Sequence, residues 1–325
     1  MKQYATTQPT DRTGTKPGGD AVIDAATPLT ASSAAALFFQ FLNSFGFIVL
    51  ATVGLAIIFG MMGVINLAHG EFILIGVYGT ALPYHAGVPL PAAMVAGVLV
   101  TTVFGVLIER TVVRHLYDRL LDSMVATWGL ALVVSQLLLI VFGSSLDSIS
   151  TPMGAVSYGP FSSSIYRSVF LPAVALLILA GLYALFTRTE FGIKARATIE
   201  DPETARAMGI DTDRMYVATF AIGSGLAGLT GALYAPALGS ITPNRGSTFL
   251  VEAFVAVVVG GPSVIVGTLS AAGILSVFNA TGSFFFGTFI GQMLLLLVAI
   301  VALRVLPDGI TGYVESWRQR RRASE

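Results

Sequence analysis

The sequence predicts an all-α fold, a polytopic transmembrane helical bundle with about eight membrane segments. Of the 325 residues, 54% are hydrophobic and only 11% are charged, whereas soluble domains are about a quarter charged. Long apolar runs contain no ionisable residue, which is typical of membrane spans. Other apolar runs are short and interrupted by Gly or Pro, which indicates broken or re-entrant helices.

Six apolar runs are near the length that a helix needs to cross the hydrocarbon core. They are Leu37–Gly60, Pro91–Ile108, Met124–Phe142, Phe170–Phe186, Met215–Leu238 and Phe284–Leu303. The polar segment 1–33 before them lacks the apolar region of a signal peptide. It cannot bury enough surface to order itself, so we predict a disordered tail.

Two further regions are shorter and broken. Phe72–Leu82 is entered through the segment Asn66–Gly70, and Phe249–Val259 is followed by the turn Gly260–Ser263 and then Val264–Phe278. The arms of the second region, about 11 and 15 residues, are short for full spans. Broken backbone at membrane depth is tolerated only where it is buried in protein or lines a cavity. Both regions are therefore predicted to lie near a transport pathway.

The positive charges orient the bundle, because loops rich in Lys and Arg remain in the cytoplasm. Loops 109–122 and 187–214 and the C-terminal tail 311–325 are basic, whereas 143–169 and 239–248 contain one Arg each. The first group is therefore predicted to be cytoplasmic. Mixed charges near the N-terminus leave its side open. No Lys or Arg interrupts a predicted span before Arg304, which favours a neutral or zwitterionic solute over a free anion.

The most basic internal loop contains a predicted short helix. Asp201 suits the N-cap and Glu203 complements the positive end of the helix dipole. Gly209 suits the left-handed position after the helix. Ala205 and Met208, three residues apart, are predicted to form a small apolar face. A helix of about seven residues is not stable alone in water, so it needs a docking surface on its own membrane domain or on another protein.

This segment resembles the coupling loop of ABC-importer permeases. Glu203-Thr204-Ala205-x-x-x-Gly209 is similar to the EAA-x-x-x-G pattern of that family, with Thr at the middle Ala. The Ile-x-Leu-Pro that usually follows is missing. In the family this helix lies in a groove of the ATPase subunit. The resemblance implies an ATPase-coupling site formed by Asp201, Glu203, Thr204, Ala205, Met208 and Gly209.

Other segments extend the resemblance over about residues 37–310 to permeases for branched-chain amino acids and for urea or short amides. These segments are Gly54–Phe72, Phe191–Ala197, Phe254–Gly261, Gly267-Thr268 and Leu306–Gly309. The resemblance implies a permease domain at 34–310 in the bacterial inner membrane, in contact with lipid. It also implies a second permease subunit, two cytoplasmic ATP-binding subunits and an extracytoplasmic solute-binding protein. Leu121–Leu130 is nearer to the urea and amide branch, and the choice of solute stays open.

Polar residues between apolar stretches are candidates for the translocation pathway. Asn66, His69 and Glu71 lie together before the first broken arm, and Glu252 lies one turn into the second. Ionisable groups at membrane depth are costly and often functional. These residues could instead lie at the interface or satisfy the backbone of their own turn. The candidate pathway residues are Asn66, His69, Glu71, Glu252, Gly260 and Gly261. Gln136, Asn279 and Gln292 are predicted to form interhelical hydrogen bonds.

Several functional classes are disfavoured by the sequence. The G-x-x-x-x-G-K-[ST] motif is absent, so the chain does not bind ATP phosphates and is predicted not to be an enzyme. No catalytic residue, metal site or cofactor is predicted, since His69 has no His or Cys neighbour and the chain has no cysteine. Zero net charge gives no case for nucleic acid. The alternatives are a gradient-driven transporter or channel for a small neutral solute and, less favoured, an intramembrane enzyme using His69 and Glu71.

Overall fold

The computed structural model describes residues 30–117, 119–261, 263–307 and 309–313. Of the predicted N-terminal and C-terminal tails, residues 1–29 and 314–325 lie outside the described residues. The described residues form eleven α-helices: α1 (Ala31–Met62), α2 (His69–His85), α3 (Leu90–Thr111), α4 (Leu120–Phe142), α5 (Leu171–Arg188), α6 (Glu190–Glu200), α7 (Pro202–Ala207), α8 (Thr212–Tyr234), α9 (Arg245–Gly260), α10 (Val264–Phe286) and α11 (Thr288–Val305). Seven helical segments are long and apolar enough to cross a membrane. The predicted polytopic helical bundle is confirmed.

The long helix α1 fixes the orientation of the bundle. It begins at Ala31, so it includes the last three residues of the predicted tail. Near this end Phe39 contacts Tyr158 of loop 143–169, with ring centroids 5.3 Å apart. At its other end Met61 packs against Met215, directly after the basic loop that marks the cytoplasmic side. With the basic loops in the cytoplasm, as their charges predict, the N-terminal end of α1 lies on the outer side, a point that the sequence leaves open.

The helix α2 begins inside the bundle rather than at its surface. Gly63 ends α1 in the left-handed region with φ 62°, and residues 63–66 are not helical. The N–H of Leu67 donates to Oγ1 of Thr127 over 3.0 Å, which holds this segment against α4. From there α2 runs for 17 residues, about 25 Å, to His85, which contacts Asp147 of the outer loop. The first broken region is thus an irregular entry followed by a short helix.

The predicted length of the second broken region is wrong. The arm expected at Val264–Phe278 continues to Phe286 and forms the 23-residue helix α10, a full span. The polar run Asn279–Ser283 hides this continuity in the sequence. The last span accordingly begins at Thr288, after Gly287 with φ 92°, and not at Phe284. The first arm is α9, with 16 residues and a length of about 24 Å.

The bend between α9 and α10 lies beside the residues that follow α11. Oγ1 of Thr311 donates to the carbonyl oxygen of Gly260 over 2.8 Å. A Cβ added to Gly309 would lie 2.6 Å from Cα of Gly261, so the two backbones are in close contact. Pro262 lies outside the described residues. The bend is therefore near the cytoplasmic side, where α11 ends.

A β-hairpin in loop 143–169 is the element that the all-α prediction omits. Strand β1 (Ala155–Tyr158) pairs antiparallel with β2 (Phe161–Ser164), and Gly159 adopts the left-handed region at the turn with φ 63°. Each strand has only four residues, too few for a clear alternating pattern. The ring of Phe161 lies 5.9 Å from that of Phe284, which attaches the hairpin to the outer end of α10.

Close backbone contacts place α8 at the centre of the bundle, against α1, α2 and α3. A Cβ added to Gly231 would lie 2.0 Å from the carbonyl oxygen of Ile73, and one added to Gly76 would lie 2.4 Å from that of Gly228. Helices approach this closely only where glycine provides the space. The small residues of α8 therefore serve packing, as their spacing indicates.

Candidate functional site

The helix α7, which is the predicted coupling helix, begins with a complete N-cap. Oδ1 of Asp201 accepts hydrogen bonds from the N–H groups of Glu203 and Thr204 over 3.0 and 3.1 Å. The hydroxyl of Thr204 donates to Oδ2 of Asp201 over 2.5 Å. This hydroxyl contact, followed by the backbone bonds, lowers the pKa of the Asp201 carboxyl. The Thr that departs from the family's middle Ala therefore stabilises the ionised cap.

The end of α7 is a Schellman motif. The N–H of Gly209 donates to the carbonyl of Arg206 over 2.9 Å, and the N–H of Ile210 donates to that of Ala205 over 3.0 Å. This pair of bonds requires a left-handed residue after the helix, and Gly209 has φ 86°. The predicted roles of Asp201 and Gly209 in the local structure are confirmed. The helix has six residues.

The predicted apolar face of Ala205 and Met208 is wrong. Ala205 is fully buried against its own chain, whereas the side chain of Met208 is 66% exposed. Met208 is the C-cap residue of this six-residue helix, and it does not share the buried side of Ala205. Ile193 and Ile199 of the preceding helix α6 are also exposed. The apolar groups free to contact another protein are thus Met208 and the two isoleucines.

The helix α7 is attached to α8. Nε of Arg206 donates to Oγ1 of Thr212 over 2.5 Å, and the guanidinium lies 3.4 Å from the Asp213 carboxylate. Thr212 is buried and is the first residue of α8. Asp211 caps that helix by accepting from the N–H of Arg214 over 3.0 Å. These contacts attach α7 to the first turn of α8.

A cavity of about 630 Å³, here called the outer cavity, lies at the other end of the bundle. It is lined by α1, the end of α8, and α9, α10 and α11. Its polar lining includes Asn43, Arg167, Arg245, Glu252, Asn279 and Gln292. A second cavity of about 500 Å³ beneath the β-hairpin shares Asn43 and Arg167 with it. Both cavity volumes are in the range of small-molecule binding sites.

Hydrogen bonds between helices organise the outer cavity. Nε2 of Gln292 donates to Oε1 of Glu252 over 3.2 Å, which joins α11 to α9. The hydroxyl of Ser44 donates to Oδ1 of Asn279 over 2.8 Å, which joins α1 to α10. The predicted interhelical bonds of Gln292 and Asn279 are confirmed. Gln136 instead lies on the exposed face of α4.

Sequence reasoning missed the two arginines of the outer cavity, because both were assigned to outer loops. Arg167 lies in a π-helical turn, Tyr166–Phe170, before α5, and its guanidinium donates to the carbonyl of Ala237 just beyond α8. Arg245 is the first residue of α9. Their isolation in loops otherwise free of Lys and Arg was the signal available. The outer cavity therefore contains two cationic residues, although the predicted spans contain no Lys or Arg before Arg304.

Asn66, His69 and Glu71 are buried together, but they do not line the outer cavity. Oδ1 of Asn66 accepts from the N–H of Ala68 over 3.0 Å, within its own turn. Nε2 of His69 lies 3.0 Å from the carbonyl oxygen of Ala51 in α1. Glu71 packs on the start of α9, so closely that a Cβ on Gly246 would lie 2.2 Å from its Oε2. The trio supports the starts of α2 and α9.

Gly260 and Gly261 are also separate from the outer cavity. A Cβ on Gly260 would lie 2.6 Å from the backbone of Gly267 in α10. Gly261 has φ 81° at the bend. The structure therefore brings these glycines to a tight turn near the cytoplasmic side, far along α9 from its first residues.

Comparison with known proteins identifies the family to which the chain belongs. The family described as branched-chain amino acid transport system, permease component, matches residues 37–303. The chain belongs to this permease family. It is a multi-pass ABC-importer permease of the inner membrane.

Curated relatives cover most of this permease. The branched-chain amino acid permease BraD of Pseudomonas aeruginosa is 29% identical over 82% of this chain and 92% of its own length. LivH of Methanocaldococcus jannaschii, a probable permease of the same kind, is 29% identical over 85% and 91%. LivH of Escherichia coli is 28% identical over 82% and 91%. No solved structure matches the chain significantly.

The helix α8 extends from the contacts of α7 to the outer cavity. Its first residue, Thr212, is bonded to Arg206, whereas Tyr234 at its other end lines the outer cavity. The hydroxyl of Tyr166 donates to the carbonyl of Leu233 over 2.5 Å. With 23 residues, α8 spans about 35 Å. One continuous helix thus joins the cytoplasmic surface to the outer cavity.

Proposed function

We propose that this permease imports branched-chain amino acids within an ATP-driven complex. The complex contains a second permease subunit, two cytoplasmic ATP-binding subunits and an extracytoplasmic solute-binding protein. The relatives are branched-chain amino acid permeases, which supports this choice of solute. The observation that carries the proposal is the continuous connection from a capped helix on the cytoplasmic surface, through α8, to a cavity on the outer side.

The coupling surface is the exposed side of α7. Asp201, Thr204 and Gly209 fix its shape, Ala205 anchors it to the bundle, and Glu203 and Met208 face the groove of the ATPase subunit. ATP-driven closure of the ATPase pair displaces α7, and the contact of Arg206 with Thr212 passes this to α8. Such a switch requires that the ATPase contacts differ between the two states of the bundle.

The pathway begins at the outer cavity, where Glu252 is the acidic residue of the described lining. Asn66, His69 and Glu71 lie beneath it and hold the starts of α2 and α9 in place. Gly260 and Gly261 let α9 and α10 turn closely at the cytoplasmic side. Helix starts inside the bundle are typical of transport pathways, because their unpaired N–H groups can face a solute.

Transport by the reconstituted complex tests the proposal. Proteoliposomes containing both permease subunits, the ATPase subunits and the solute-binding protein are expected to accumulate leucine, isoleucine and valine only when ATP is supplied. Urea and acetamide, assayed alongside, are expected not to accumulate. Uptake driven by an ion gradient without the ATPase subunits would favour a secondary transporter, and uptake of urea alone would replace the proposed solute.

A further inference from the structure

The outer cavity carries charges of both signs on one face of α9. Arg245 and Glu252 both line it. They are seven residues apart, so they share a helix face and are separated by about 10 Å along the axis. Arg245 is in the first turn, towards the outer side, and Glu252 is deeper. Thr248 lies between them on that face and also lines the cavity.

Neither charge is neutralised within the described part of the chain. The salt bridges there are all between residues outside this cavity, and Glu252 has only the amide of Gln292 as a neutral partner. Arg167 adds a second guanidinium at the cavity, with donors to spare beyond its bond to Ala237. Uncompensated charges at membrane depth are costly, which favours a ligand that brings the opposite charges.

The apolar part of the cavity lies beside these charges. Phe47 and Tyr234 lie with ring centroids 4.5 Å apart, and Phe249 contacts both rings. All three rings line the cavity. A ligand with an ammonium group, a carboxylate and an apolar side chain would satisfy each part of this lining, whereas urea would leave both charges without a counter-charge.

We propose that the outer cavity binds its solute as a zwitterion, with Glu252 receiving an ammonium group and Arg245, together with Arg167, receiving a carboxylate. The ammonium group points inward and the side chain contacts the aromatic rings. This inference rests on the proposed function and extends it, because it makes the permease itself, and not only its binding protein, selective for amino acids over neutral amides.

A single cysteine can report occupancy of the site. The chain has no cysteine, so Thr248→Cys introduces the only thiol of this subunit, between the two charges. The complete transporter, in proteoliposomes and with the solute-binding protein omitted, is treated with a membrane-impermeant thiosulfonate and the labelling rate of this chain is measured. L-Leucine at about four times its Kd is expected to slow labelling about fivefold by occupancy. At the same concentration, 3-methylbutylamine, 4-methylpentanoate and urea are expected to leave the rate unchanged.

Two charge variants and one matched control make the test specific. Glu252→Gln and Arg245→Gln, each combined with Thr248→Cys, are expected to abolish protection by leucine. Glu252→Gln is also expected to lower the preference for a cationic over an anionic reagent, and Arg245→Gln to raise it, which shows that the cavity remains formed. Ser247→Cys, an exposed neighbour that does not line the cavity, is expected to be labelled at a rate that leucine does not change.

Protection that survives both substitutions, or equal protection by urea, would overturn the zwitterion site. ATP-driven leucine uptake by the complete system with the binding protein restored separates this inference from the proposed function. Uptake without protection removes the site and leaves the function. Protection without ATP-driven uptake supports the site and removes the function.

Discussion

Replacing Gly209 by alanine tests whether the shape of α7 couples the permease to its ATPase subunit. Gly209 has φ 86°, and an L-residue in this region is disfavoured by about 1–2 kcal/mol. A Cβ at this position meets no atom within 4 Å, so the effect comes from the backbone alone. A free-energy change of this size lowers the population of the capped helix about 5- to 30-fold.

The expected consequence is a weaker association of the permease with the ATPase subunit. A helix this short has little stability of its own, so the apparent Kd is expected to rise by the same factor as the competent population falls. Binding is measured by titrating the ATPase subunit onto the permease complex in nanodiscs, and ATP-driven leucine uptake is measured in proteoliposomes. Gly209→Asn is expected to lie between wild type and Gly209→Ala, because Asn tolerates the left-handed region.

Gly181→Ala is the matched control, since Gly181 lies within α5 and a Cβ there meets no atom within 4 Å. It is expected to bind and transport as wild type. Wild-type binding and transport by Gly209→Ala would refute the reasoning that the end of α7 determines coupling.

The remaining predictions concern packing, the docking surface and the cap. Gly231→Ala is expected to lower the melting temperature of the detergent-solubilised complex, because its Cβ would lie 2.0 Å from a carbonyl oxygen. Gly273→Ala in α10 is the control and is expected to leave the melting temperature unchanged, because its Cβ would meet no atom within 4 Å. Equal melting temperatures for the two variants would contradict the close packing at Gly231. Met208→Ser is expected to weaken ATPase binding without changing that melting temperature, since the exposed methionine contributes apolar contact only in the complex. Because the folded-state pKa of Asp201 is lowered, its contribution is present above the ordinary Asp pKa and is lost as pH falls through the lowered value. Thr204→Ala removes the main cause of that shift, so ATPase binding measured against pH is expected to weaken at a higher pH than in wild type.

Local signals in the sequence were sufficient for the two ends of α7 and for most of the long spans. The cap at Asp201 and the left-handed Gly209 depend on neighbours within a few residues, so the sequence predicts both. The end of α10, by contrast, does not depend on near neighbours in the sequence. Asn279 is polar, but its partner Ser44 lies in α1, and this distant bond allows the helix to continue through a polar run.

The charged lining of the outer cavity depends on tertiary structure even more strongly. Arg167 and Arg245 lie 78 positions apart in the sequence, each beside residues that resemble an ordinary outer loop. Arg167 reaches the cavity that Arg245 lines only because the turn before α5 packs against the end of α8. Glu252 was identifiable from its position in a short apolar arm, whereas the two arginines of the same cavity were not.

The two bonds at the outer end of α8 have a mechanical consequence. If α8 tilts by about 5° about its cytoplasmic end, its far end moves by about 3 Å over a length of about 35 Å. A hydrogen bond does not survive such a stretch, so the bonds of Tyr166 and Arg167 either break or carry the first turn of α5 with them. The bundle thus has a lever arm, α8, whose small rotation at the cytoplasm becomes a displacement of an arginine at the mouth of the outer cavity.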